Sequence, residues 1–211
     1  MKILVIGASK GTGALAAKLA LERGHDVTVF ARSPQNFPVE HPRLTRMRGD
    51  FHDRSSVEDA VGGKPDAIIL TAATTLKGFR EDPTFFSRGT GHTIDAMKMH
   101  GVKRLVVLTA LGVGDSRKLC NFFMEKILVS FILKAPYQDH ERQEKLVRDS
   151  GLDWVIARPT RLTDGPARKR YTKTAAIERV PSSISRADVA DFLVEATEVD
   201  TWIHKAVQLG G

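Results

Sequence analysis

The sequence predicts a doubly wound α/β domain built on a mainly parallel sheet, and three observations point to it. Short runs of Ile, Val and Leu recur at residues 3–6, 27–31, 67–71, 104–109 and 154–159. Each run is apolar at consecutive positions instead of alternating, as in strands covered on both faces. Segments of helical length separate the runs, so strand and helix alternate five times along the chain.

The first strand runs straight into Gly7-Ala8-Ser9-Lys10-Gly11-Thr12-Gly13, and an Ala/Leu-rich helix follows to about Arg23. Gly7 turns the chain sharply out of the strand, Gly11 lets backbone lie against a pyrophosphate, and Gly13 lets the helix pack closely on the sheet. The helix then aims unpaired N–H groups and its positive dipole end at the phosphates. A glycine triplet between a strand and a helix is the context that dinucleotide binding requires. Ser9, Lys10 and Thr12 join the glycines as candidate cofactor contacts.

The second strand, residues 27–31, is entered from Gly24, which is placed to end the first helix, and it leads into Arg32. An NAD site usually carries an acidic residue here, whereas an arginine accommodates a 2′-phosphate. Lys10 adds a second cation near the same group. Either residue alone reads equally well as a solvated surface charge; together they favour NADP(H) over NAD(H).

A third strand near residues 44–48 leads into Gly49-Asp50-Phe51, and Ser55-x-x-Glu58 reads as a capping box opening a short helix that ends near residues 62–63. The fourth strand ends in Thr71-Ala72-Ala73-Thr74, whose small side chains let a cofactor lie flat against backbone. Residues 75–82 are polar and read as an irregular flap over the site. Pro83 is placed to open a helix that Gly101 ends. The fifth strand finishes at Thr109, and the 111–116 loop follows it at the carboxyl edge, where open parallel sheets place ligands.

Leu119, Phe122, Phe123, Ile127, Phe131 and Ile132 are spaced as the broad apolar face of a helix, belonging to the core or to a lid. A further helix follows Pro136, from Tyr137 to about Ser150. His140 within it is either a proton donor or ligand-orienting group, or an ordinary surface histidine. The sixth strand stops at Pro159, and the 160–166 loop lies on the presumed ligand side. The Arg168-Lys169-Arg170 cluster is either simply solvated or a receptor for a substrate carboxylate or phosphate. Ser185-x-x-Asp188 reads as a second capping box, and residues 206–209 as a closing strand. No repeat, metal-ligand cluster or break in composition marks a second domain. One domain over residues 1–211 is expected, with substrate-pocket elements from about 111–145 and 160–185.

Bulk properties narrow the function further. With 42% hydrophobic and 27% charged residues, the 211-residue chain has the composition of a soluble globular protein. Its single cysteine, Cys120, excludes an internal disulfide and suits a reducing compartment. The most apolar stretch, residues 119–133, is interrupted by Glu125 and Lys126 and is shorter than a bilayer span. The N-terminus reads as a strand and not as a leader. The expectation is therefore a cytoplasmic monomer or small homo-oligomer with no membrane partner. The net charge of +7 comes from scattered residues with few aromatics between them, which argues against nucleic acid. A cationic surface instead suits phosphorylated cofactors and a small-molecule substrate, anionic ones included.

In order and spacing, these pieces resemble the atypical short-chain dehydrogenase/reductase proteins of the NAD(P)H-binding, NmrA-like kind, and within them the biliverdin reductase B/flavin reductase branch. The resemblance covers nearly the whole chain. It is carried by Gly7-Ala-Ser-Lys-Gly-Thr-Gly13, Val27-Thr-Val-Phe-Ala-Arg32, Gly49-Asp50, Ala96-Met-Lys-Met-His-Gly-Val102, Ser150-Gly-Leu-Asp-Trp154, Arg158-Pro159 and Ile184-Ser-Arg-Ala-Asp-Val189. It implies a Rossmann domain in which Gly7, Gly11, Thr12, Gly13 and Arg32 hold the NADP phosphates and Asp50 and Phe51 border the adenine. By the same resemblance Thr109 and the backbone around Arg158, Pro159, Thr160 and Arg161 border the nicotinamide, and His140 matches a histidine near the substrate pocket. Three features depart from the pattern. The glycine spacing is that of larger short-chain dehydrogenases, Ala110 stands where the reductase has serine, and the Tyr-x-x-x-Lys pair is missing because Glu141 lies four places after Tyr137.

These features favour an NADPH-dependent reductase acting on a flat conjugated acceptor such as a flavin, a biliverdin-like or a quinone-like ring, with His140 and Thr109 as candidate catalytic residues. Such a reduction relies mainly on holding donor and acceptor together. A non-catalytic NADP(H)-binding sensor is the first alternative, and a sugar-nucleotide epimerase or dehydratase the second; the absent Tyr/Lys pair argues against the latter.

Overall fold

The computed structural model describes residues 1–119 and 134–211. The five apolar runs become β1 (Lys2–Ile6), β2 (Asp26–Ala31), β4 (Ala67–Leu70), β5 (Arg104–Leu108) and β6 (Asp153–Pro159), and the more polar β3 (Leu44–Arg48) forms where the third strand is expected. Short strands β7 (Arg161–Thr163), β8 (Thr172–Thr174) and β9 (Ser183–Ser185) follow, and β10 (Lys205–Gly210) closes the chain. The helices are α1 (Gly11–Glu22), α2 (Arg54–Gly62), α3 (Leu76–Glu81), α4 (Phe85–His100), α5 (Lys134–Arg148) and α6 (Arg186–Glu198).

The main sheet runs in the order β3-β2-β1-β4-β5-β6-β10-β8, parallel throughout except for β8, which pairs antiparallel with β10. The order reverses at β1, whose Ile3 pairs with Val27 on one side and Ala67 on the other. At such a reversal the loops after neighbouring strands part to opposite faces and leave a crevice at the carboxyl edge. The expected Rossmann-type sheet is therefore present.

Strand pleating explains why the runs had to be continuously apolar. Ile3 and Val5 pack beneath α1 and α6 with Val29, Ile69, Val106 and Val155. Leu4 and Ile6 face the other way, joining Phe30, Ile68, Leu70 and Val107 beneath α2 and α4. Residues 3–6 are no more than 1% exposed. Each such side chain contributes roughly 1.5–3 kcal/mol on burial, so a polar replacement on either face is costly. α1 lies along α6 on one layer, while α4 packs against α2 and α5 on the other.

Local details differ from the sequence expectations at several points. The cap of α2 is Asp53 and not Ser55: its carboxylate accepts from Ser55 N at 3.2 Å and from Ser56 Oγ at 2.5 Å, and the helix starts at Arg54. Hydrogen bonding from Ser56, opposed by burial, holds the Asp53 carboxyl below its usual range. Residues 75–82 are not irregular. Thr75 accepts from Gly78 N at 3.1 Å and caps α3, which Gly78 disguises as a loop in the sequence. Pro83 precedes α4 without opening it, since Thr84 takes the cap position. The helix expected after Pro136 already includes Lys134. Gly101, with φ +72°, ends α4 as expected. Ser185 caps α6 as expected, accepting from Asp188 N at 2.9 Å. The apolar stripe from Phe122 to Ile132 and Cys120 lie outside the described residues. No helix among the described residues is long and apolar enough to cross a membrane.

Candidate functional site

A cleft of about 480 Å³ opens at the carboxyl edge of the sheet, over the point where the strand order reverses. Its floor is the loop between β1 and α1. Gly7 adopts φ +90°, and a Cβ there would sit 2.6 Å from Ala72 N, so the β1 and β4 ends approach at backbone distance. A Cβ on Gly13 would collide with Thr71 Oγ1 and lie 2.5 Å from Gly7 O. Thr71 is fixed in turn, donating its hydroxyl to Ile6 O at 3.0 Å. Gly11 is the opposite case, because nothing lies within 4 Å of where its Cβ would stand. The cradle is tight beneath the loop and empty above it.

The first turn of α1 borders this empty space. Lys10 in the cap position makes no side-chain capping bond, and the turn carries no acidic residue. The N–H groups of Gly11, Thr12 and Gly13 thus meet the cleft without an internal side-chain acceptor, as an anion site requires. Lys10 and Arg32 are exposed at the cleft wall, and neither forms an ion pair among the described residues. Asp50 and Phe51 stand beyond Arg32. The Asp50 carboxylate accepts from His52 N at 2.9 Å, and the Phe51 ring is buried against Gly89. On the far side of the floor, Ala72, Ala73, Leu108 and Leu162 form a small-residue and apolar wall.

The cleft therefore gathers Gly7, Ser9, Lys10, Gly11, Thr12, Gly13, Arg32, Asp50, Phe51, Thr71, Ala72 and Ala73. It does not gather Thr109, Pro159, Thr160, Arg161 or His140. Thr109 is buried and donates its hydroxyl to Glu144 Oε1 at 2.9 Å. Thr160 is tied to β10, donating both its N–H and its hydroxyl to Leu209 O. Pro159 O accepts from Leu111 N, and Arg161 is exposed at the start of β7.

His140 lies on α5, stacked on Phe86 with ring centroids 3.9 Å apart. Its Nδ1 is 2.8 Å from Gln143 Oε1, and Gln143 Nε2 donates to Thr90 Oγ1 at 2.9 Å. An amide oxygen can only accept, so Nδ1 carries the proton and the lone pair of the neutral ring sits on Nε2. Burial lowers the His140 pKa below the ordinary 6.5, although Gln143, Glu144 and Asp139 pull the other way. The neighbouring Asp139 is fully buried and caps α4, accepting from Phe86 N at 2.7 Å and from Ser87 N and Oγ.

Two pairings of side chains were not anticipated from sequence. Glu144 of α5 holds Arg158 at the end of β6, with both residues buried. Burial alone would lower the arginine pKa, but Glu144 and Asp115 more than offset it. Asp164 and Arg186 line the cleft and pair with each other at 2.5 Å. The parallel register of β7 with β9, Thr163 opposite Ser185, brings them together. The Arg168-Lys169-Arg170 cluster is exposed, and the Asp188 carboxylate accepts from Arg168 N and Lys169 N at 2.9 Å each.

The profile of the NAD(P)H-binding family matches residues 7–200. The chain belongs to this family. Its relatives include the sanguinarine reductase of Eschscholzia californica, 26% identical with all of this chain and 89% of that protein aligned. A chloroplastic protein of Arabidopsis thaliana is 25% identical over 99% of this chain and 69% of its own length. Among solved structures, the anaerobillin reductase ChuY of Escherichia coli O157:H7 superposes with a TM-score of 0.82 at 23% identity, covering all of this chain and 97% of that one. A wide-type short-chain dehydrogenase/reductase of Veillonella parvula in complex with NADP gives 0.84 at 17% identity, covering 100% and 94%. These likenesses establish a Rossmann fold of the NAD(P)-binding kind. The residues present fit the group: the open space at Gly11, the free first turn of α1 and the two unpaired cations form one continuous cradle for a dinucleotide.

Proposed function

We propose that this family member is an NADPH-dependent reductase of a flat, conjugated acceptor of flavin, biliverdin-like or quinone-like shape. When bound, the nicotinamide cofactor supplies the hydride. The adenosine end belongs over β2, where Arg32 and Lys10 face the 2′-phosphate and favour NADP(H) over NAD(H). The other end then crosses β4 and β5, above Ala72, Ala73 and Leu108.

The observation that carries this reading is the character of that far wall, where Ala72, Ala73, Leu108 and Leu162 are small or apolar and no hydroxyl–lysine pair stands beside them among the described residues. An alcohol or a sugar would need a positioned acid or base there, whereas a conjugated ring needs a flat surface and close approach. The apolar wall offers the acceptor ring a flat surface, and solvent delivers the proton at neutral pH because burial holds the His140 pKa below its ordinary value. The reductase names of relatives in California poppy and Escherichia coli are consistent with this chemistry. Cationic side chains around the loop after β6 suit an anionic acceptor.

Steady-state NADPH oxidation with FMN, riboflavin and soluble quinones tests the proposal. Turnover with at least one of these acceptors is expected. Tight NADPH binding with no turnover on any of them would instead support a non-catalytic NADP(H) sensor.

A further inference from the structure

Arg186 is the third cation of the cleft, and neither its charge nor its place follows from the cofactor motif. It is the first residue of α6, which lies along α1, so Arg186 and the glycine loop share one end of that layer. Both border the same space, as do Gly11 and Thr12. Its Nη1 is 2.5 Å from Asp164 Oδ1, and no other ion pair is made by either residue among the described residues. The Asp164 side chain is 88% exposed and that of Arg186 only 30%. The arginine is thus held in the cleft wall by a partner that stands almost wholly in water.

From this asymmetry we infer that Arg186 binds the pyrophosphate of the dinucleotide, and that Asp164 occupies it until the dinucleotide arrives. An ion pair with a solvated carboxylate shifts an equilibrium by at most about fivefold. A pyrophosphate held beside the N–H groups of α1 offers more charge and a geometry that suits the planar guanidinium fork. The exchange of partners favours the ligand. Asp164 then acts as a competitor that lowers affinity for both dinucleotides alike, unlike Arg32, whose contact is specific to the 2′-phosphate.

The inference rests on the cofactor reading of the cleft. Its test is calorimetric titration of the full chain with NADPH, NADH and 2′-AMP, the last carrying the 2′-phosphate but no pyrophosphate. Arg186→Ala should weaken NADPH and NADH equally, by about tenfold or more, and leave 2′-AMP unchanged. Arg186→Lys should recover part of the loss. Asp164→Asn should tighten both dinucleotides by up to about fivefold, again without effect on 2′-AMP. Unchanged dinucleotide binding in Arg186→Ala, or an equal loss of 2′-AMP, would overturn the role of Arg186. Weaker binding in Asp164→Asn would overturn the competition and make the pair a structural clasp. If the unmodified protein bound 2′-AMP but neither dinucleotide, the cofactor reading would fall first and this inference with it.

Discussion

Glu144 grips the Arg158 guanidinium with both carboxylate oxygens, Oε1 at 2.9 Å from Nε and Oε2 at 2.5 Å from Nη2, in a place closed to water. The pair ties α5 to the end of β6, and Glu144 Oε1 also accepts the Thr109 hydroxyl. Asp115 takes the remaining Nη1 from the surface.

Removing Glu144 leaves the buried Arg158 charge with only the half-exposed Asp115 as partner. Glu144→Ala should therefore destabilise the fold by about 3–5 kcal/mol, read from urea denaturation. The double variant Glu144→Leu/Arg158→Met should recover most of that loss, because an apolar pair of similar volume leaves no charge to desolvate. A loss under 1 kcal/mol in the single variant would show that water reaches the pair.

In the cleft, Arg32 forms no ion pair among the described residues and so has no competing acid to release. Arg32→Ala should remove a charge-assisted contact of roughly 1.5–3 kcal/mol and weaken NADPH by about tenfold or more, with NADH little changed. Equal affinity of the unmodified protein for the two cofactors would contradict the preference at its root.

His140 gives a pH-dependent prediction with a definite sign. Its folded pKa lies below 6.5, so the imidazolium needed for proton donation forms only as pH falls through that lowered value. Turnover of the unmodified protein and of His140→Ala should coincide above about pH 7. Below that, the unmodified protein should pull ahead, by up to roughly 10²-fold if donation is direct. Stability runs the other way, being fully present above the unfolded value and lost as pH falls toward the folded one. Coincident rate profiles across the whole range would leave solvent as the only proton source.

The parts of the fold legible in the sequence are those governed by local rules. Continuous apolar runs gave the parallel strands, and the glycine loop with Arg32 gave the floor and one wall of the cleft. What escaped depends on residues far apart in the chain. Asp139 caps a helix that begins more than fifty residues earlier, so no local pattern marks it. Glu144 and Arg158 read separately as a helix charge and a strand end, and only the packing of α5 against β6 makes them partners. Arg186 sat in plain view inside a capping box. Its place in the cleft depends on the β7–β9 register, and three-residue strands have too little pattern to announce themselves.

The reversed β8 at the margin of the sheet has a consequence for how this protein behaves among its own copies. Unpaired strand margins are templates onto which other chains can add. Here one margin ends in three residues running backwards, Thr172–Thr174, with the Lys173 ammonium drawn over the Tyr171 and Trp202 rings. The opposite margin, β3, carries Arg46 and Arg48. A newcomer would meet a stretch of only three residues on one side and, on the other, the exposed Arg48 beside an Arg46 already paired with Glu40, so neither margin offers a long apolar template.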